Sequence, residues 1–118
     1  MMPRPNFISE AAWTALLVNG AYTAQGDEGD PAPAVRLVLL GTNASWLLTE
    51  VDPAELDRAF GLCDLGLGFP ELGYVSLDEL AQIQGPAGST IAMDQQFQTA
   101  EALSLHAARA RQARRIVS

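Results

Sequence analysis

Punctuation constrains this chain more than any other feature. Three apolar runs of strand length, Val35–Leu40, Ser45–Val51 and Ala59–Leu65, are cut apart by Gly41-Thr42-Asn43 and Asp52-Pro53 and closed by Gly66, Gly68 and Pro70. Runs this short, rich in branched and aromatic residues and bounded by turn formers, suit strands rather than helices. The Gly-Thr-Asn turn predicts a hairpin between the first two. Regular alternation along the second puts Trp46, Leu48 and Glu50 on one face and Leu47, Thr49 and Val51 on the other. Pro53–Asp57 allows one helical turn, and Gly73–Val75 reads as a brief extended piece.

Helical signals flank this block. Ser9 can cap a helix over Glu10–Asn19 with Trp13, Leu16 and Leu17 on one stripe, and Gly20 is placed to end it. Ala21–Pro33, crowded with Gly, Pro and acids, reads as a mobile loop. Ser76-Leu77-Asp78-Glu79 has the spacing of a capping box, which predicts a helix from Leu77 to Gln84 before Gly85-Pro86. Ile91–Phe97 reads as a strand or irregular edge. Thr99 can cap a last helix through Ile116 with a thin stripe of Leu103, Ala107, Ala110 and Val117. Strands grouped together, with helices before and after them, indicate an α+β fold: a small, mainly antiparallel sheet, an N-terminal helix, a short capped helix after the last core strand and a C-terminal helix.

With 118 residues, 48% of them apolar, the chain supports one domain that needs no disulfide or metal to fold. The single Cys63 and the lack of a membrane-length apolar run predict a cytoplasmic protein with no membrane contact. All seven basic residues are Arg, which excludes the lysine chemistries: the Walker A phosphate loop, the Schiff base and the Ser-Lys nucleophile pair. Charge is unevenly placed. Fourteen acids stand against three arginines up to residue 104, whereas Arg109, Arg111, Arg114 and Arg115 follow with no acid. The acidic body discourages nucleic-acid binding except through those four arginines. On a helix Arg111, Arg114 and Arg115 could face one ligand, stabilise the helix C-terminus, or dock on the acidic body.

The spacing of Gly66-Leu67-Gly68 is not that of a dinucleotide loop, and Gly85–Thr90, without a lysine, is a weak anion cradle. Cys63 and His106 lie on separate elements, and Cys63 reads as a small core residue rather than half of a nucleophile pair. Asn43-Ala44-Ser45 matches a glycosylation acceptor, which carries no weight without a secretion signal. Glu50 and Asp52, two apart on one strand, with Asp64 on the next and Glu71 beyond it, could bind Mg²⁺ or Ca²⁺ or share a proton. The alternative is a solvated rim of turn caps.

Four blocks occur in order: Trp46-Leu47-Leu48-Thr49-Glu50-Val51-Asp52-Pro53; Ala59-Phe60-Gly61-Leu62; Gly68-Phe69-Pro70-Glu71-Leu72-Gly73-Tyr74-Val75-Ser76-Leu77-Asp78-Glu79-Leu80; and Gly85. Over residues 7–104 the chain resembles a family of small bacterial proteins known only as domain of unknown function two-nine-five-eight. The resemblance implies an accessory role on plasmids and other mobile elements, and no reaction. The Arg-rich segment after Ser104 departs from the family pattern, as does the softer stretch Gly85–Thr90. The expected organisation is therefore a family domain over 1–104 and an Arg-rich helical extension over 105–118.

Glycines, core leucines and the Ser76 cap account for much of these blocks. Trp46, Thr49, Glu50, Asp52, Glu71 and Tyr74 are not obviously required by structure, and they read as one partner-binding patch. The leading expectation is a non-enzymatic interaction module without a cofactor or metal, binding a protein partner. One alternative is an acidic anti-defence inhibitor mimicking nucleic acid. Another is a metal-assisted hydrolase using Glu50, Asp52 and Asp64.

Overall fold

A computed structural model describes residues 4–27 and 29–117. Five strands form one antiparallel sheet: β1 (Val35–Leu39), β2 (Ser45–Asp52), β3 (Glu55–Asp64), β4 (Glu71–Ser76) and β5 (Ile91–Met93), in the order β4-β3-β2-β1-β5. The helices are α1 (Glu10–Ala24), α2 (Leu77–Gln82) and α3 (Leu103–Ala113). The α+β class and the element order agree with the expectation.

The sheet is covered on both sides. On one face Trp46, Leu48 and Val51 of β2 pack with Leu37 of β1, Leu16 of α1 and Leu77 and Leu80 of α2. On the other, Leu47 and Leu62 pack against Leu103, Ala107 and Ala110 of α3 and against Ile116 beyond it. α3 thus completes the fold. The expected boundary at residue 104 falls inside α3, and residues beyond it bury one of the two cores rather than forming an extension.

The alternation along β2 breaks at one point. Leu48 pairs with Gly61 and Glu50 with Phe60, which leaves Thr49 as an extra residue in a β-bulge. Val51 therefore joins Trp46 and Leu48, and Glu50 moves to the face of Phe60. The expected grouping of Trp46, Leu48 and Glu50 is corrected by that single inserted residue. Its carbonyl does not go unpaired: Asn19 Nδ2 of α1 donates to Thr49 O at 2.8 Å.

Gly20 continues α1 instead of ending it. A Cβ there would sit 1.8 Å from Val51 O, so the missing side chain lets the helix lie directly on the backbone of β2. The Pro53–Asp57 segment is not helical, because β3 already begins at Glu55 and Asp52 pairs with Glu55 across a tight turn. β4 is longer than the extended piece expected at Gly73–Val75. Ser9 and Ser76 cap as predicted, accepting from Ala12 N at 3.2 Å and Glu79 N at 3.1 Å. Asp57 adds a cap from a distant strand, accepting from Ser76 Oγ at 2.6 Å and Asp78 N at 2.7 Å. The first turn of α3 is satisfied across the molecule rather than by Thr99. Ser104 N donates to Asp30 Oδ1 at 3.2 Å and Leu103 N donates to Pro31 O at 3.1 Å. The expected mobile loop is therefore helical as far as Ala24 and tied to α3 at Asp30 and Pro31.

Candidate functional site

The six residues expected to form one patch are divided by the sheet. Trp46 and Thr49 are buried, Trp46 in the core under α1 and Thr49 in the bulge, where its Oγ1 donates to Phe60 O at 3.3 Å. Neither is available to a partner. Glu50, Asp52 and Tyr74 do come together, lining a shallow hollow of about 170 Å³ with Phe60 beside the end of α1. Asp52 Oδ1 there accepts from Ala54 N at 2.8 Å and closes the β2–β3 turn. Glu71 pairs with Cys63 and Tyr74 with Phe60, three positions apart on β4, so Glu71 projects from the opposite face. Two residues were buried and one was turned away because alternation and a bulge, not residue type, decide which side a strand residue takes.

The carboxylate site dissolves for the same reason. Asp64 pairs with Ser45, five strand positions or roughly 16 Å from Glu50. It is buried, and its two oxygens accept from Gly66 N at 2.8 Å and Ile116 N at 2.9 Å. Among the described residues no group of three or more His, Cys, Asp or Glu side chains is placed to hold a metal ion. The hydrolase reading built on Glu50, Asp52 and Asp64 is withdrawn on this geometry.

Cys63 and His106 lie on opposite sides of the sheet, Cys63 against the α1 core and His106 on α3. Burial, reinforced by the Glu71 carboxylate, pushes the Cys63 thiol up to about 11, away from thiolate chemistry. The His106 ring stands against Phe97 and its Nε2 lies 3.1 Å from Thr99 Oγ1. Of the C-terminal arginines, Arg109 grips Glu101 with two 2.6 Å hydrogen bonds, and that fork holds the Glu101 carboxyl below its ordinary range.

What the sequence reading missed is the tip joining β3 to β4. Leu65, Leu67 and Phe69 are 61%, 73% and 74% exposed, and on the adjoining strand Leu72 and Tyr74 are 40% and 56% exposed. The Tyr74 ring meets Phe60 edge-on, with centroids 5.0 Å apart, and the Arg58 guanidinium lies 3.8 Å from its centroid. A signal was present in Leu65-Gly66-Leu67-Gly68-Phe69: turn geometry explains the glycines, whereas nothing in a turn calls for three large apolar side chains. A groove of about 830 Å³ between residues 4–9, α2 and β5 has its charged groups engaged. Arg4 Nη1 donates to Ile8 O at 2.6 Å, and Asp78 Oδ2 accepts from Gln82 Nε2 at 3.1 Å.

A family model described as "Protein of unknown function (DUF2958)" matches residues 7–117, which takes in β1–β5, α1–α3 and the C-terminal arginines. The chain belongs to this family. Because the match runs through α3, DUF2958 membership includes the segment that the sequence reading had set apart after residue 104. No curated protein and no solved structure matches the chain. Among the described residues no helix is long and apolar enough to cross a membrane.

Proposed function

We propose that this protein is a non-enzymatic interaction module that docks another protein through the β3–β4 hairpin. The observation that carries the reading is the run of five exposed large apolar side chains, Leu65, Leu67, Phe69, Leu72 and Tyr74, on one hairpin of a protein whose two cores are already closed. Large apolar surface of this kind is desolvated to advantage only against a complementary apolar surface, and aromatic residues dominate such contacts. Glu71 beside the tip and a net charge of −7 favour a partner with an apolar socket bordered by Arg or Lys. The same charge disfavours a second copy as occupant. Glu50, Asp52 and Tyr74 belong to the flank of this surface, with the carboxylates orienting a basic rim. An accessory role on bacterial mobile elements, and the cytoplasmic location that goes with it, are part of the proposal and rest on the family resemblance.

A photo-crosslinking side chain placed at Leu67, and separately at exposed Glu10 on α1, tests the reading. The expected result is a discrete heterologous adduct from position 67, none from position 10, and loss of the adduct in Phe69→Asp with an unchanged melting temperature. Equal labelling from both positions, or an adduct that survives Phe69→Asp, would overturn it.

A further inference from the structure

Arg36 on β1 and Arg114 and Arg115 just after α3 line one polar cleft of about 460 Å³, walled by the β1–β2 and β3–β4 turns. This is not the helical trio expected from the sequence, because α3 ends at Ala113 and the chain turns back. Arg114 adopts the left-handed conformation at φ 61°, a position that glycine ordinarily fills at lower cost. Arg115 N then donates to Ala110 O at 3.1 Å. Ile116 N donates to the buried Asp64 carboxylate at 2.9 Å, while the Ile116 side chain enters the core. Backbone and core thus fix two consecutive arginines beside the cleft.

Arg36 supplies the inner cation. Its Nη1 donates to Asp94 Oδ2 at 3.0 Å, and its Nε is buried without a hydrogen-bond partner. A buried guanidinium N–H left without an acceptor is costly. Among the described residues the ion pairs are Arg36–Asp94 and Arg109–Glu101, so the charges of Arg114 and Arg115 are uncommitted. Asp64, the other carboxylate at this end, is buried and accepts from two backbone amides.

We infer that this cleft binds a small phosphate-bearing anion of nucleotide size or less. Its volume lies in the range of small-molecule sites, on the order of 300–1,000 Å³. Three arginines lining one cleft, one from β1 and two from the turn after α3, match the several acceptor oxygens of a phosphate better than the two of a carboxylate. The strongly acidic remainder of the chain repels an extended polyanion, so a compact ligand fits and a nucleic-acid backbone does not. The cleft borders the hairpin tip at Gly66 and Gly68, and its assignment does not rest on hairpin docking.

Titration of the full chain with inorganic pyrophosphate, followed through the arginine Nε–H resonances, tests the assignment. Saturable shifts of Arg36, Arg114 and Arg115, with Arg58 unmoved, are expected. Arg114→Gly should weaken binding tenfold or more without lowering the melting temperature, since glycine suits that backbone, and Arg115→Ser should weaken it comparably. Absence of saturable shifts, or unchanged affinity in Arg114→Gly, overturns the proposal. So does equally tight binding of an oligonucleotide lacking terminal phosphates, which would make the ligand a polymer backbone.

Discussion

Single positions in this protein are held by close backbone approaches more than by side-chain chemistry. Gly20 is one: any Cβ meets Val51 O at 1.8 Å, and neither the helix nor the strand backbone yields cheaply. Gly20→Ala should destabilise by about 3 kcal/mol, at the upper end of overpacking costs, as measured by urea unfolding. Arg114 is the opposite case. Relief of its left-handed conformation by Arg114→Gly should stabilise the fold by about 1 kcal/mol in the same measurement. Cys63 shows how burial governs reactivity. Its thiol is raised from 9.0 to about 11, so at pH 8 alkylation of the native protein should be much slower than that of the urea-unfolded chain. The sign of the linkage follows. The folded thiol keeps its proton where the unfolded one loses it, so this group lowers stability progressively as pH rises from 9.0 to about 11. Serine at position 63 should remove that part of the alkaline decline.

At the scale of elements, sequence-local caps were legible and long-range ones were not. Ser9 and Ser76 announce their helices because the acceptor and the amide it binds lie three residues apart. Asp57 and Asp30 carry no such mark. Asp57 reaches the start of α2 from β3, and Asp30 reaches the start of α3 from the segment before β1. Asp30→Ala should cost about 1–2 kcal/mol of stability, like loss of a local N-cap, although it lies far from α3 in sequence. The bulge at Thr49 was hidden in the same way. Residue alternation gives no warning of an inserted residue, and the reason it is tolerated lies in Asn19 on α1. That one displacement moved Glu50 onto the face of Tyr74 and left Thr49 buried, which divided the patch expected from the sequence.

For the whole molecule, the sheet needs a helical layer on each face, and α3 supplies the second. A chain ending at residue 104 exposes Leu47 and Leu62, so it should lose its cooperative thermal transition and aggregate. The exposed hairpin behaves differently: Phe69→Ser should change stability by no more than about 0.5 kcal/mol, because the side chain is already in water. By itself the sequence determined the α+β class, the order of its main strands and helices, the two serine caps and the exclusion of lysine chemistry. Each of these rests on residue type or on spacing along a few neighbouring positions. Only the tertiary structure decided which carboxylates meet, which arginines share a cleft and which apolar side chains stay in water. Those depend on strand register and on approaches between distant segments, and a bulge or a left-handed residue resets them without changing the local pattern.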